Sequence, residues 1–243
     1  MPVTPPRDGV AINYEVHGDG PPLLLVSGTG HDLGFWAGQI PRFSTSFRTI
    51  VFDNRGVGAS SVPNPGYSLA DMADDAAHLL DSLRIDAAHV MGFSMGGHIA
   101  QELTLNHRAR VLSLGIHHSW TRNGARLKKF QETRLYLARN DQRVALAEIS
   151  MLALHASAYY DAHVAEMDAH RQFLLEKSPV NAGWIGQLEA CIVGDTYDRL
   201  PTINVPTLIT CSNLDLIASP HLSAEIHAKI PGSELKILEG TGH

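Results

Sequence analysis

Short apolar runs alternate with longer segments of helical pattern along most of the chain, and this alternation strongly constrains the fold. The runs are rich in leucine and β-branched residues and occupy residues 10–16, 23–26, 48–52, 89–92, 111–116, 206–211 and 234–238. Several are apolar almost throughout, which is typical of strands covered on both faces, and the connections are long enough for crossover helices. The sequence therefore predicts an α/β protein with a mostly parallel sheet flanked by helices.

Two connecting segments carry clear helix signals. In residues 68–85 apolar side chains recur at steps of three and four, with Ser68 as a candidate N-cap and Asp71 three residues later. Residues 95–106 are predicted to form a helix that starts directly after a strand. His98 on this helix is expected to be a core histidine.

Residues 120–198 break the alternation. They contain no convincing strand, and their content of Ala, Leu, Glu, Arg and His predicts three or four helices. Turns are predicted at Asn123-Gly124, Asn140-Asp141 and Ser178-Pro179. A helical insertion of this kind often covers the ligand crevice at the carboxyl ends of parallel strands. We therefore predict a core of residues 1–119 and 199–243, and a helical cap of residues 120–198 that is an insertion and not an independent domain.

Composition and charge exclude several functional classes. The 243 residues are 44% hydrophobic and carry a net charge of −6 without a basic stripe, which argues against nucleic acid as a partner. No apolar run is long enough to span a membrane, and residues 1–9 lack a signal-peptide stretch. Cys191 and Cys211 are too few for a disulfide framework, so we expect a cytoplasmic protein. Metal-binding patterns are also missing from the sequence, and no cofactor is expected; a monomer and a homodimer are equally compatible with it.

The pattern Gly92-x-Ser94-x-Gly96 lies between a predicted strand and a predicted helix. In this setting the turn is so tight that its central residue takes a strained conformation, and glycines on both sides relieve the crowding. The turn exposes the serine hydroxyl at the carboxyl edge of the sheet. Ser94 is therefore the candidate nucleophile.

A serine needs a base, and the base needs an acid to orient it. His243 follows the last predicted strand and Asp215 follows the strand at 206–211, so both lie at the same sheet edge as Ser94. The chain order Ser94, Asp215, His243 is that of a triad on an α/β-hydrolase sheet. Weaker candidates remain, and these are His117 and His118 for the base and Asp195 and Asp198 for the acid.

The remaining site residues are predicted from their positions near the strand ends. The backbone N–H groups of Thr29 and Met95 are the candidate oxyanion donors, because a reacting acyl group needs two such donors. Candidate pocket residues are Trp36, His118, Trp120, Phe130 and Trp184, each of which could equally be a packing residue.

Three motifs together resemble the α/β-hydrolase superfamily: residues 27–30 (Ser-Gly-Thr-Gly), residues 52–58 around Asp53 and Arg55, and residues 92–97, followed by Asp215 and Gly242-His243. The resemblance implies an α/β-hydrolase fold with a helical cap inserted after the sixth strand. Phe130 with Arg134, Gln187 to Ala190 and Tyr197 to Leu200 resemble the small-molecule members, such as aminoacrylate hydrolases, 3-oxoadipate enol-lactonases and carboxylesterases. Ser27 stands where the family usually has histidine, and the family's final helix is expected to follow His243.

The resemblance implies a serine hydrolase that cleaves a small carboxylic ester or related acyl compound through an acyl-enzyme intermediate. The same triad also serves lactones, C–N bonds and C–C bonds, so these alternatives stay open. A non-enzymatic receptor for a small ligand is a second alternative on the same fold.

Overall fold

The computed structural model describes residues 2–177 and 180–243. Ser178 and Pro179, the position of one predicted turn, lie outside the described residues. Within the described part, the chain builds a seven-stranded sheet with the strand order β1-β3-β2-β4-β5-β6-β7. The strands are β1 (Tyr14–His17), β2 (Pro22–Val26), β3 (Arg48–Phe52), β4 (Ala88–Phe93), β5 (Val111–His117), β6 (Thr207–Ser212) and β7 (Glu234–Leu238). Only β1 pairs antiparallel, with β3, so the predicted mostly parallel sheet is confirmed.

The first strand is shorter than the predicted run at residues 10–16. Side-chain hydroxyl groups bind the backbone of the preceding residues: Thr4 Oγ1 accepts from the N–H of Ile12 at 3.0 Å and Ser60 Oγ from the N–H of Asn13 at 2.8 Å. These amides have acceptors outside the sheet, and regular pairing with β3 begins at Tyr14.

Helices flank the sheet as predicted. They are α1 (Ile40–Phe43), α2 (Leu69–Ser82), α3 (Met95–Asn106) and α9 (Pro220–Lys229). Ser68 caps α2 as expected, since its hydroxyl accepts from the N–H of Asp71 and the Asp71 carboxylate accepts from the N–H of Ser68. Alternate side chains of β2 point to opposite faces of the sheet and pack in different hydrophobic clusters. Leu24 and Val26 pack with α2 and α3, whereas Leu23 and Leu25 pack with Trp36.

Between β5 and β6 the chain forms the helices α4 (Ala125–Arg139), α5 (Arg143–Leu154), α6 (Ser157–Ala162), α7 (Val164–Lys177) and α8 (Ala182–Val193). The described residues thus contain five helices here, more than the three or four predicted. The insertion follows the fifth strand and not the sixth, because only five of the seven strands precede residue 120. Its treatment as a cap without an independent fold remains a prediction.

Helix α8 holds the insertion against the rest of the protein. The backbones of Gly183 and Gly56 approach so closely that a Cβ atom on Gly183 would lie 2.2 Å from the Cα of Gly56. The Tyr67 hydroxyl donates to the Gly183 carbonyl at 2.6 Å, and Gln187 Nε2 donates to the Arg55 carbonyl at 2.8 Å. These contacts fix α8 over the carboxyl edge of the sheet.

His98 is fully buried on α3, as the sequence predicts, and neither of its ring nitrogens has a hydrogen-bond partner among the described residues. Burial lowers the pKa of His98 to about 3, so the folded protein holds this ring neutral. The unfolded chain binds a proton with a pKa of about 6.5. Acidification below that value therefore favours unfolding until the pH approaches the folded-state pKa.

Replacing His98 with leucine should flatten the pH dependence of stability. When the pH is lowered to 5, protonation of His98 in the unfolded chain should reduce the free energy of unfolding of the wild-type protein by about 2 kcal/mol. Each unit of pH below 6.5 contributes about 1.36 kcal/mol to this loss. Urea unfolding at pH 7.5 and pH 5 measures the difference. An unchanged pH dependence in His98→Leu would contradict the assignment of a neutral, buried imidazole.

Candidate active site

Ser94 lies at the sharp turn between β4 and α3, with backbone angles φ 56° and ψ −120°. Only glycine fits two residues before and two residues after Ser94. A Cβ atom on Gly92 would lie 2.1 Å from the Gly96 carbonyl oxygen, and one on Gly96 would lie 2.1 Å from the Val26 carbonyl oxygen. The carbonyl of Ser94 accepts a hydrogen bond from the Ser119 hydroxyl at 2.8 Å. The strained turn is thus enclosed by Val26 at the end of β2 and by Ser119 just after β5. It directs the Ser94 side chain to the sheet edge.

The structure brings Ser94, His243 and Asp215 into one hydrogen-bonded chain. The Ser94 hydroxyl lies 2.9 Å from His243 Nε2, and His243 Nδ1 lies 2.7 Å from Asp215 Oδ2. The side chain of His243 is 3% exposed and that of Asp215 is 0% exposed, so water does not compete for these bonds. An ionised Asp215 only accepts, which places the imidazole proton on Nδ1 and leaves the Nε2 lone pair for the Ser94 hydroxyl.

The other carboxylate oxygen of Asp215 is also fully used. Oδ1 accepts from the backbone N–H groups of Ile217 at 2.7 Å and Ala218 at 2.8 Å, just after the end of β6. These two bonds fix the rotation of the carboxylate, so Oδ2 alone faces the imidazole. The carboxylate therefore has three partners, two backbone N–H groups and the imidazole of His243.

The weaker candidates for base and acid lie elsewhere. His118 Nε2 bonds to the Ser212 hydroxyl at 2.7 Å, and His117 Nδ1 bonds to Thr210 Oγ1 at 2.6 Å. Burial, reinforced by the positive charge of a protonated His243, lowers the pKa of His118 to about 4. Asp195 accepts from the N–H of Tyr197 in the segment before β6.

The loop that carries His243 packs against the end of α5. The His243 N–H donates to the Leu154 carbonyl at 2.8 Å. At Gly242 there is no room for a side chain, because a Cβ atom would lie 2.7 Å from both the Leu154 carbonyl oxygen and the Ala156 nitrogen. The insertion thus takes part in positioning the imidazole.

Replacing Gly242 with alanine should therefore displace His243 and reduce turnover without unfolding the protein. A shift of about 1 Å in a reacting group can cost about 10²-fold in rate. Ester hydrolysis and thermal denaturation of Gly242→Ala measure the two effects, with Gly240→Asn as a control at a nearby glycine of positive φ whose surroundings are open. Full activity in Gly242→Ala would show that the close contact does not position the imidazole.

The loop at residues 27–30 lies beside Ser94, since a Cβ atom on Gly28 would be 3.2 Å from that of Ser94. Ser27, which replaces the family's usual histidine, closes the loop by donating to the His31 carbonyl at 3.1 Å. The Gly30 N–H donates to Gln187 Oε1 at 2.8 Å, which holds the loop from α8. Thr29 is therefore held next to Ser94, and Met95 begins α3, where N–H groups have no acceptor within the helix.

A cavity of about 840 Å³ opens beside Ser94 and His243. Three of the predicted pocket residues line it, namely Trp120, Phe130 and Trp184. Further lining residues come from the first loop and the insertion, and they include His31, Phe35, Phe93, Arg134, Leu146, His170, Phe173 and Leu188. The walls are mainly apolar, and the polar lining residues include Thr29, Gln131 and Ser150.

Two predicted pocket residues do not line this cavity. Trp36 is 5% exposed and packs against Leu23, Leu25 and Val51 of the sheet. His118 has φ 51°, and its ring bonds to Ser212 and lies 5.8 Å from the ring of His243. His118 therefore lies next to the ring of His243 and does not form the cavity wall.

A family model described as alpha/beta hydrolase fold matches residues 21–243. The chain belongs to the α/β-hydrolase fold family. Two relatives named "Putative carbamate hydrolase RutD" are similar to it: that of Serratia proteamaculans is 32% identical over 92% of this chain and 84% of its own length, and that of Azorhizobium caulinodans is 29% identical over 95% and 87%.

Among solved structures, the enol-lactonase from Burkholderia xenovorans LB400 superposes with a TM-score of 0.88 at 26% identity, covering 97% of this chain and 90% of its own. A thermophilic esterase from Thermogutta terrifontis gives a TM-score of 0.86 at 27% identity, covering 99% and 89%. The predicted resemblance to small-molecule α/β-hydrolases is confirmed by these matches, and the chain is a hydrolase of this fold.

None of the helices traced in residues 2–177 and 180–243 is both long and apolar enough to cross a bilayer. The same residues contain no group of three or more His, Cys, Asp or Glu side chains placed to hold a metal ion.

Proposed function

We propose that this α/β-hydrolase cleaves a small carboxylic ester or related acyl compound, with Ser94 as nucleophile, His243 as general base and Asp215 as the group that orients the imidazole. The observation that supports it most is the pair of hydrogen bonds, 2.9 Å and 2.7 Å long, that joins these three side chains at the wall of an apolar cavity. An activated hydroxyl of this kind attacks an acyl carbon.

In the proposed mechanism Ser94 Oγ attacks the carbonyl carbon while His243 Nε2 takes the hydroxyl proton. Asp215 stabilises the imidazolium that forms. The backbone N–H groups of Thr29 and Met95 bind the oxyanion, and each such donor contributes about 10²–10³-fold to turnover. His243 then protonates the leaving group, and water attacks the acyl-enzyme by the same proton transfers in reverse.

A carbamate is a second candidate substrate, because the RutD relatives are named carbamate hydrolases. The same three residues would act on it, with a carbamoyl group on Ser94 in place of an acyl group. The enol-lactonase neighbour likewise makes a lactone a candidate. The bond that is cleaved depends on which substrate the cavity binds.

The proposal is tested with a fluorophosphonate probe followed by peptide mapping. We expect covalent labelling on the peptide that contains Ser94, and competition by simple esters. A panel of p-nitrophenyl esters, aryl carbamates and lactones then ranks the bond types by kcat/KM. Absence of Ser94 labelling together with absence of turnover on the whole panel would contradict the proposed function and favour a ligand-binding role.

A further inference from the structure

Arg134 is a cation in the wall of the cavity, and none of the carboxylates in the described part of the chain pairs with it. It lies on α4, and its Nε atom is enclosed with no acceptor among the described residues. Its guanidinium carbon stands 5.3 Å from the ring centre of Trp184 and 5.6 Å from that of Phe130. The aromatic rings contact the guanidinium through their π faces, which leaves its N–H groups available for hydrogen bonds to a ligand.

The acidic side chains near this part of the insertion pair with other cations. Glu132 pairs with Lys129, Glu189 with Arg139 and Glu148 with Arg171. Asp32, the acidic residue among those that line the cavity, is exposed and accepts from the Gly34 N–H at 2.9 Å. The described residues therefore leave the charge of Arg134 uncompensated.

Burial lowers the pKa of Arg134 to about 10, a value at which the side chain is still charged at neutral pH. The side chain of Arg134 is half-buried, and its Nε atom is enclosed. A cation held in this way without a partner costs stability, because it loses part of its hydration and gains no ion pair. Aromatic contacts offset only part of that loss. Such an arrangement is stabilised when an anion enters the cavity.

His31 lines the same cavity as Arg134. Burial first, and then the positive charge of Arg134, lower the pKa of His31 to about 4. At neutral pH His31 is uncharged and its Nδ1 has no partner among the described residues. The lining of the cavity thus includes the hydroxyl of Ser94, the cation of Arg134 and the neutral ring of His31.

We propose that Arg134 binds a carboxylate group of the substrate, at a distance from the acyl carbon that Ser94 attacks. This inference rests on the proposed function and narrows its substrates to anionic acyl compounds. A planar guanidinium donates two parallel N–H bonds to a carboxylate, and such a pair is strong in a site from which water is excluded. Arg143 also lines the cavity, but it is exposed and donates to the Leu175 carbonyl.

Two matched esters test the inference: mono-p-nitrophenyl adipate, which carries a free carboxylate, and its methyl-capped form, which is neutral. The wild-type enzyme should favour the anionic ester in kcat/KM. Arg134→Gln should lower kcat/KM for the anionic ester by about 10²-fold and leave that for the neutral ester nearly unchanged, since bonds to a charged group are lost only with the former. Arg134→Lys should retain part of the preference.

Arg139→Gln is the matched control, because it removes one positive charge from the same helix at an exposed position outside the cavity. It should leave both esters unaffected. Equal kcat/KM for the two esters in the wild-type enzyme would overturn the inference. An equal loss on both esters in Arg134→Gln would also overturn it, because Arg134 would then only support the packing of α4 on α8.

Calorimetric binding of succinate, glutarate, adipate and pimelate provides a measurement without turnover. At least one of them should bind the wild-type protein and fail to bind the Arg134→Gln variant. Binding that does not depend on Arg134 would overturn the inference. Hydrolysis of the neutral ester separates the two proposals. If the enzyme hydrolyses the neutral ester as well as the anionic one, the proposed roles of Ser94, Asp215 and His243 are supported and the carboxylate site at Arg134 is contradicted.

Discussion

Ser94→Ala should lose about 10⁴- to 10⁶-fold in turnover and still fold, because the nucleophile is removed while the backbone of the turn is unchanged. Serine and alanine both carry a Cβ atom, so the cost of the positive φ at this position stays the same. Hydrolysis of p-nitrophenyl acetate and the melting temperature measure the two effects. Residual turnover within tenfold of the wild-type value would reject Ser94 as the nucleophile.

Ser94→Gly is an informative companion to this variant. Glycine adopts φ 56° without strain. The Ser94→Gly variant should therefore be as inactive as Ser94→Ala, and its free energy of unfolding should be higher by about 1 kcal/mol. A gain in stability with a loss of activity would show that the strain is retained for function. Equal stability of the two variants would show that the turn is not strained.

Asp215→Asn should lower kcat by about 10⁴-fold through the wrong imidazole tautomer. The two backbone N–H groups that bind Oδ1, at 2.7 Å and 2.8 Å, require an acceptor, so the oxygen of the new amide takes that position. Its NH₂ group then faces His243 Nδ1 and donates to it. The ring proton moves to Nε2, where it prevents the imidazole from accepting the Ser94 proton.

The same geometry predicts how stability should differ between two variants. Asp215→Asn keeps both backbone hydrogen bonds, whereas Asp215→Ala loses them and should be about 2 kcal/mol less stable, because two buried N–H groups lose their acceptor. Urea unfolding distinguishes the variants. If Asp215→Asn retained more than a tenth of wild-type kcat, the orienting role of Asp215 would be contradicted.

Sequence reasoning located the parts of this protein whose signals are local. Helix α3 spans the predicted residues because the glycine-serine turn sets its start, and β3 and β7 match their apolar runs. The meeting of Ser94, Asp215 and His243 was predictable because carboxyl ends of parallel strands share one sheet edge. Their chemical roles remain predictions until the variants are measured.

Features that depend on tertiary contacts could not be predicted in this way. His118 directly follows β5, and Trp36 lies ten residues after the end of β2; in neither case does the position in the sequence tell which way the side chain turns. Helix α4 carries Arg134 among other cations, and its composition does not tell which of them enters the cavity. The break between α5 and α6 at His155 is marked by neither glycine nor proline, and it coincides with the contact of Gly242.

The bond from His243 to the Leu154 carbonyl has a consequence for enzyme engineering. Chimaeras that exchange the helical segment of one relative for that of another, in order to transplant specificity, would remove the main-chain acceptor of the His243 N–H. Such a graft has to reproduce a carbonyl at this place, or the recipient receives a new binding site together with a misaligned base.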